Sequence, residues 1–320
     1  SAEAQIDLEA TPLNGCTPCL LRLDDGRLLL FAWIENGTDE GQIRMLFSDD
    51  DGATWEVGAG AVLPAVLNTG STSSGFITNR LRAAQIDGQI LLLVWLRSRD
   101  TTPANADELR QYASCDDGHS FTLVYQSTRA TAGQASAYPD VTVANGEFVV
   151  ARLGVTNRLP LVSRLSSAYL PLSSVDAVEA ATSEAWGTLD GTGKYFTDGD
   201  CWITADETGV LYLSGRTPSA GNRWPIVSSA DGGTTWAAMA RSALTSGGGT
   251  WFDSEDSATY LRQGAACWHH GRAVVVSGFV ASPGTYDGGS VVATYLGGYS
   301  TATMPSYDYW RTDGRQVTWG

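Results

Sequence analysis

A turn glycine followed by a short run of apolar residues recurs five times along the chain. The runs are LLLFAW, ILLLVW, FVVARL, VLYLSG and AVVVSG, and their glycines are Gly26, Gly88, Gly146, Gly209 and Gly271. Successive glycines are 62, 58, 63 and 62 residues apart. A second apolar segment precedes each glycine, so each is predicted to lie in the turn of a β-hairpin. A period of about sixty residues predicts a repeat protein.

A second motif, S-x-D-x-G-x-[ST]-[WF], occurs three times in register with the hairpins. Its copies, at 48–55, 114–121 and 229–236, begin 22, 26 and 20 residues after their hairpin glycines. The chemistry of this octapeptide is that of a turn. The aspartate accepts backbone N–H groups, the glycine supplies a positive φ and the aromatic residue packs beneath. We therefore expect Asp50, Asp116 and Asp231 to lie in turns on the outer rim, away from any central channel.

Four strand-like segments in each unit of about sixty residues are typical of a propeller blade, in which neighbouring sheets bury each other's faces. Five clear units span residues 13–300. The sequence thus predicts an all-β fold and one β-propeller domain over 1–320. Six blades are expected, the last reduced and built from 301–320 with an N-terminal strand at 6–10; five blades is the alternative.

The amino-acid composition narrows the range of possible binding partners. With 35 acidic and 20 basic residues the formal net charge is −15, which disfavours nucleic acid. No apolar run approaches the roughly 20 residues that cross a bilayer, so no membrane insertion is expected. The N-terminal residues carry no signal-peptide pattern. Five scattered cysteines argue against a disulfide scaffold and are expected to be mostly buried thiols, and no metal or other cofactor is predicted.

The three octapeptides in register resemble the Asp boxes of the sialidase (neuraminidase) superfamily of six-bladed propellers, also called the BNR-repeat family. The segment GCTPCLLRLDDGRLLLFAW from Gly15 is similar to that family's opening segment. The segment GVLYLSGR at 209–216 is similar to a family strand that ends in an arginine. The resemblance implies the propeller fold and sugar-directed chemistry, with three arginines on the sugar carboxylate, an aspartic acid as proton donor and a tyrosine nucleophile activated by a glutamate.

Carried over residue by residue, the resemblance assigns four candidate catalytic or binding residues. Arg216 matches the second arginine, Asp39 lies where the general acid lies, and Asp198 or Asp200 stands near the expected glutamate. Two departures oppose ordinary sialidase activity. Cys16 takes the place of the first arginine, and the segment 290–295, where the third is expected, contains none.

Further ligand candidates come from propeller geometry, because loops that precede the first strands and follow the second strands meet at the mouth of the channel. These candidates are Arg80, Arg82, Arg97, Tyr138, Arg152, Tyr260 and Arg262. Arginines with carboxylates and aromatic rings suit polar or acidic glycans. The alternative for each arginine is an ion pair between blades.

The resulting hypothesis is a glycan-recognising, sialidase-like propeller with a degenerate catalytic site, acting as a binding or structural module. A glycan or glycoconjugate is the expected partner, and a homo-oligomer or larger assembly, such as a virion attachment or phage tail component, is a compatible setting. The alternative is an active exo-glycosidase of altered specificity that uses Asp39 as acid. If the chain is an enzyme, it is a glycoside hydrolase. A third hypothesis is a protein-interaction scaffold without a sugar ligand.

Overall fold

The structure, a computed structural model, describes thirteen stretches of the chain. They are residues 18–35, 41–57, 76–98, 107–127, 137–153, 160–179, 201–215, 226–238, 260–269, 272–280, 290–296, 307–310 and 316–319. The regular structure within them consists of 21 β-strands and one short 3-10 helix, Leu172–Ser174. This confirms the prediction of an all-β chain. In the same stretches no helix is long and apolar enough to cross a membrane.

The described strands form five sheets, numbered here in chain order. Sheet 1 contains β1 (Cys19–Arg22), β2 (Leu28–Glu35), β3 (Gly41–Ser48) and β4 (Glu56–Val57). Sheet 2 contains β5 (Phe76–Ile86), β6 (Gln89–Ser98), β7 (Asp107–Ser114) and β8 (Thr122–Gln126). Sheet 3 contains β9 (Ala137–Ala144), β10 (Glu147–Leu153), β11 (Pro160–Leu165) and β12 (Val178–Glu179).

Sheet 4 contains β13 (Cys201–Ala205), β14 (Leu211–Gly215), β15 (Ile226–Ser229) and β16 (Ala237–Ala238). Sheet 5 contains β17 (Tyr260–His269), β18 (Arg272–Val280), β19 (Ser290–Leu296), β20 (Tyr307–Trp310) and β21 (Gln316–Trp319). In all five sheets the strands lie side by side in chain order, which is the order expected for propeller blades.

The predicted hairpin turns are confirmed in sheets 1 to 4. Gly26, Gly88, Gly146 and Gly209 each lie between the first and second strands of their sheet, with φ of 96°, 76°, 74° and 83°. These angles fall in the left-handed region that glycine enters without steric penalty. Gly271 lies outside the described residues.

The octapeptides lie between the third and fourth strands of sheets 1, 2 and 4, and their predicted chemistry is confirmed. In the first copy the Thr54 N–H donates to Asp50 Oδ1 over 2.8 Å and the Thr54 hydroxyl to Oδ2 over 2.6 Å. The Ser48 hydroxyl donates to Asp50 Oδ1 and accepts from the Gly52 N–H, each over 2.8 Å. Asp116 and Asp231 have the same contacts in their copies.

The octapeptide also joins its sheet to the preceding one. Phe121 of the second copy packs edge-to-face on Phe31 of sheet 1, with ring centroids 5.7 Å apart. A Cβ placed on Gly118 of the same copy would lie 2.9 Å from Leu29 Cδ1 and 3.3 Å from Met45 Sδ, both of sheet 1. Glycine is therefore favoured at this position for two reasons: it adopts the positive φ without penalty, and it leaves room for the two sheets to approach closely.

Strand β6 shows how completely the sheets cover one another. Residues 90–96, the run ILLLVWL, are all at most 2% exposed, so both faces of this strand are buried. One face belongs to an apolar cluster shared with sheet 1, which includes Leu29, Phe31, Met45 and Leu81. The other face meets β9, the first strand of sheet 3, where Trp95 contacts Tyr138. A continuous apolar run is typical of a strand buried on both sides.

Sheet 3 lacks the octapeptide, and side-chain amides of sheet 2 hold its corresponding turn. Gln111, fully buried, donates through Nε2 to the carbonyls of Ala168 and Leu170 over 2.8 and 2.9 Å. Its Oε1 accepts from the Leu172 N–H over 3.0 Å. Gln89 Oε1 accepts from the backbone N–H of Ala168 over 3.1 Å and from the Ser167 hydroxyl over 2.8 Å. A buried amide whose donor and acceptor are both satisfied stabilises this contact.

The C-terminal strands differ in position from the expected reduced blade. β20 pairs with β19, Val292 opposite Tyr309, and β21 pairs with β20, Asp308 opposite Thr318. Residues 307–319 therefore extend sheet 5 to five strands. The proposed N-terminal strand at 6–10 lies outside the described residues, and the number of blades stays a prediction.

Contacts divide the chain into two compact units. The first contains residues 1–148, 154–156 and 163–176, and the second contains 149–153, 157–162 and 177–320. The division passes through β10 and β11. That 1–320 forms one domain stays a prediction.

The hydrogen-bonded aspartates of the octapeptides should make the stability of the protein depend on pH in the acid range. Hydrogen bonds from Thr54 and Ser48 lower the pKa of Asp50 from 3.8 to about 2. Between these values the unfolded chain binds a proton that the folded chain does not, so the stabilisation is complete above pH 3.8 and is lost as pH falls toward 2. Asp50→Ala should lower the urea midpoint at pH 7, and its difference from the parent should shrink toward pH 2.

Asp176→Ala is the matched control, because Asp176 is exposed and has no partner among the described residues. At pH 7 its urea midpoint should stay close to that of the parent, because an exposed side chain contributes little to stability. An Asp50→Ala difference that stays constant with pH would mean that the turn does not depend on the ionised carboxylate.

Candidate functional site

An ion pair links the first strands of sheets 2 and 3. Arg82 Nε in β5 lies 3.0 Å from Asp140 Oδ1 in β9, and the Asp140 side chain is only 8% exposed against 27% for Arg82. Arg82 Nη1 also donates to the Leu81 carbonyl over 2.8 Å. Two contacts thus fix the orientation of the guanidinium, which stays partly open to solvent.

An aromatic contact lies beside this ion pair. Arg80 and Arg82 are two residues apart on the sheet 3 side of β5, where Trp95 of β6 is the cross-strand neighbour of Arg80. The ring of Trp95 contacts that of Tyr138 in β9, with centroids 4.1 Å apart and an interplanar angle of 47°. Trp95 is 2% exposed and Tyr138 is half-buried, so the tryptophan supports a tyrosine that remains accessible.

Tyr138 has a strained backbone. Its φ is 55°, in the left-handed region, where a non-glycine residue is uncommon. Pro139 follows it, and a residue before proline favours extended conformations. Strain of this kind persists only where the surroundings fix it, and it is concentrated at ligand-binding and active sites. Asp140 continues the same strand, so the strained residue and the ion pair are part of one local structure.

The thiol of Cys19 in β1 is within electrostatic range of this ion pair. Burial raises its pKa to about 11, while Arg82 acts to lower it and Asp140 to raise it. The thiol is therefore protonated at neutral pH, a state that disfavours thiolate chemistry. Of the other cysteines, Cys201 is buried and Cys115 is exposed.

A second ion pair, which the sequence analysis did not single out, lies on the opposite face of sheet 2. Glu108 and Arg110 in β7 form a salt bridge, and Glu108 is 2% exposed. The same face carries Tyr112, whose pKa is raised by burial. Alternation along DELRQY could have indicated that these side chains share a face, because every second residue of a strand points the same way.

The remaining predicted site residues fall into three groups: some are buried, some lie in described strands without described side chains, and some lie outside the described stretches. Arg80 is 5% exposed, and Arg152, in the second compact unit, is 8% exposed. Arg97, Tyr260 and Arg262 belong to described strands, β6 and β17, but their side chains lie outside the described part. Residues outside the described stretches altogether are Asp39, Asp198, Asp200 and Arg216. The structure therefore brings together Arg80, Arg82 and Tyr138.

Carboxylates in the first octapeptide have separate partners. Asp49 pairs with Arg27 over 2.7 Å, Asp50 closes the turn, and Asp51 pairs with Arg22 over 3.1 Å. This arrangement favours the predicted turn over a calcium site. Across the described stretches, no group of three or more His, Cys, Asp or Glu side chains is placed to hold a metal ion.

Comparisons with known proteins identify the fold. No protein-family model matches the sequence. No curated protein matches it either. The structure is similar to the K499G mutant of NanB sialidase from Streptococcus pneumoniae, with 12% identity, a TM-score of 0.57 and coverage of 95% of this chain and 62% of that chain.

Two other solved structures are covered by this chain over a larger share of their own length. The GH93 α-L-arabinofuranosidase of Fusarium graminearum, in complex with arabinobiose, has 12% identity, a TM-score of 0.51 and 92% coverage of each chain. A protein of unknown function from Dyadobacter fermentans has 14% identity, a TM-score of 0.54 and coverage of 87% of this chain and 75% of that chain. The chain thus has the all-β fold of the sialidase-like β-propellers, and it spans less than two thirds of the NanB chain.

The Arg82–Asp140 pair should contribute more to stability than an exposed pair. In a double-mutant cycle, Arg82→Gln with Asp140→Asn should give a coupling free energy of unfolding of about 1.5–3 kcal/mol, because the carboxylate is buried and paired with a guanidinium. The measurement is urea unfolding of the four proteins. A matched cycle on Arg164 and Glu147, whose side chains are 41% and 30% exposed, should give less than about 1 kcal/mol. Equal couplings would contradict the fixed orientation of Arg82.

Proposed function

We propose that this protein is a glycan-recognising propeller with a degenerate catalytic set, acting as a binding or structural module. The observation that carries the proposal is the arrangement at the start of β9. There Asp140 holds the Arg82 guanidinium, and Tyr138, two residues earlier in the same strand, has a half-buried ring that packs on Trp95. Fixed hydrogen-bond donors beside an aromatic surface are the chemistry that sugar recognition requires, since a sugar offers both hydroxyl groups and an apolar C–H face.

The fold supports a sugar ligand, and the sequence supports the loss of sialidase chemistry. The structural neighbours include a sialidase and an arabinofuranosidase bound to arabinobiose. Cys16 stands where the family's first arginine is expected, and 290–295 contains no arginine. Each lost charge-assisted contact weakens carboxylate binding by about 1.5–3 kcal/mol, so two losses correspond to roughly 10² to 10⁴ in affinity. In this proposal residues 1–320 form one domain, and a virion attachment or phage tail component is its setting.

The second candidate is an active exo-glycosidase of altered specificity. It is favoured by the likeness to the arabinofuranosidase over 92% of both chains. Asp39 would be the proton donor and Asp198 or Asp200 the second carboxylate, in the pattern of glycosidases that use two acidic residues.

These candidates make different predictions for turnover. We expect no measurable release from a fluorogenic sialoside, because one family arginine, Arg216, remains of three. We also expect binding to a non-sialylated glycan on an array, weakened about tenfold or more by Arg216→Ala, since a charge-assisted contact is lost. Arg164→Ala, which changes an exposed arginine paired with Glu147, is the control and should bind like the parent.

Three outcomes would change the assignment. Sialoside turnover abolished by Asp39→Asn would refute the degenerate site and favour the exo-glycosidase. Absence of binding to every glycan would favour the protein-interaction scaffold. Binding that is indifferent to Arg216→Ala would exclude that residue from the site.

A further inference from the structure

The turn between β9 and β10 contains an asparagine followed by a glycine. Asn145 and Gly146 connect Ala144, the last residue of β9, with Glu147, the first residue of β10. Both turn residues are exposed, and a Cβ placed on Gly146 would meet nothing within 4 Å. Asparagine is among the thermolabile residues. A glycine after it has no side chain to hinder reaction at its own nitrogen, so the amide of Asn145 has both water and a backbone nucleophile within reach of the same turn.

The reaction open to this pair is deamidation through a cyclic imide. The Gly146 nitrogen forms a bond to Asn145 Cγ, the bond from Cγ to the side-chain nitrogen breaks, and ammonia leaves with the proton of the Gly146 N–H. Water then adds to either carbonyl of the five-membered succinimide and opens the ring. One opening gives aspartate. The other gives isoaspartate, in which the backbone runs through the side-chain carbon and is longer by one methylene.

The conformation of the turn keeps the reacting atoms apart. The φ angles of Asn145 and Gly146 are 53° and 74°, and positive φ at both residues of a two-residue hairpin loop defines a type I′ turn. In that turn ψ of the first residue is about +30°, which for an L-residue places Cβ roughly 150° from the next nitrogen around the Cα–C bond. Closure of the succinimide ring requires both atoms on the same side of this bond. The turn must therefore open before the Gly146 nitrogen can reach Cγ.

The first hairpin of sheet 2 has the same turn with an aspartate in place of the asparagine. Asp87 and Gly88 connect β5 and β6 with φ of 47° and 76°. Aspartate is thus accepted at this position of the turn, so the aspartate product at 145 should fit the folded hairpin. Isoaspartate should not fit, because loop length fixes the register of the two strands in a hairpin.

We infer that Asn145 is a deamidation site controlled by opening of the β9–β10 hairpin: the closed type I′ turn prevents succinimide formation, and the open turn permits it. The rate of modification then reports how often this hairpin opens, which is a local unfolding event. The inference is independent of glycan recognition. It bears on the candidate site, because isoaspartate would alter the register of β9, the strand that contains Tyr138 and Asp140.

The test follows deamidation in the intact protein by digestion, chromatography and mass spectrometry, which distinguish asparagine, aspartate and isoaspartate at 145. The protein is kept in mildly alkaline buffer with and without urea, and a synthetic peptide of residues 140–150 is kept in the same two buffers. In the native protein Asn145 should react about tenfold or more slowly than in the peptide, because only molecules with an open hairpin react. In urea the two rates should agree within about threefold, since little of the turn persists in the unfolded chain.

Three variants test whether the turn itself is responsible. Asp87→Asn places an Asn-Gly pair in the equivalent turn of sheet 2, and the native protein should protect it to a similar degree. Phe148→Ala removes a ring that is 1% exposed from the second position of β10, so it should favour hairpin opening and speed the native reaction at Asn145. Phe31→Ala, which removes a fully buried ring from sheet 1, is the matched control and should speed it less.

The products and the rates decide the question together. Asn145→Asp should unfold at the urea concentration of the parent, whereas protein aged to isoaspartate should unfold at a lower one. A native rate equal to that of the peptide would overturn the inference, as would rapid native deamidation in Asp87→Asn. Equal acceleration by Phe148→Ala and Phe31→Ala would also contradict it, because the reaction would then follow global unfolding. Should either alanine variant fail to fold, the native protein, Asp87→Asn and the peptide still give the answer.

Discussion

Mutual burial of sheet faces is the constraint on which the rest of this structure depends. A four-stranded sheet of this size cannot hide both faces by itself, so its stability comes from the sheets on either side. In β6 every residue from 90 to 96 is at most 2% exposed, which requires a neighbour on each face. The octapeptide turn serves the same end, because Gly118 and Phe121 pack directly on sheet 1. Where sheet 3 lacks the octapeptide, the amides of Gln89 and Gln111 make the contact instead.

The candidate site develops from one of these contacts. The face of sheet 2 toward sheet 1 is dominated by an apolar cluster, whereas its face toward sheet 3 carries the two glutamines, Arg82 and the tryptophan that supports Tyr138. Polar groups in such an interface must be paired, and the pairing of Arg82 with Asp140 fixes the donor that a ligand meets. Because both residues lie on first strands rather than on loops, the geometry of the site is set by the packing of the sheets. The same packing that stabilises the fold therefore orients the recognition chemistry.

Local turn chemistry could be predicted from the sequence, but contacts between sheets could not. The hairpin glycines and the octapeptides depend on neighbouring residues, so their positions and the role of Asp50 followed from the pattern. The left-handed φ of Asp51 and Asp117 was missed, since the motif leaves that position unspecified. Arg80 and Arg82 looked equivalent, yet one is buried and the other pairs with Asp140, 58 residues away. That difference depends on the register between two sheets, which no short segment encodes. The pairing of β20 with β19 is also a contact between distant segments, Val292 with Tyr309, so the sequence pattern placed β20 and β21 in a separate blade.

Unfolding of two glycine variants tests the dependence on sheet contact most directly. Gly88 and Gly118 have φ of 76° and 84°, so alanine at either position carries a similar left-handed backbone penalty. A Cβ at Gly88 meets nothing within 4 Å, whereas one at Gly118 meets Leu29 of sheet 1 at 2.9 Å. The free energy of unfolding, measured in urea, should therefore fall by about 1–3 kcal/mol more for Gly118→Ala than for Gly88→Ala, as expected for overpacking a buried contact. Equal losses would contradict the claim that the octapeptide joins adjacent sheets.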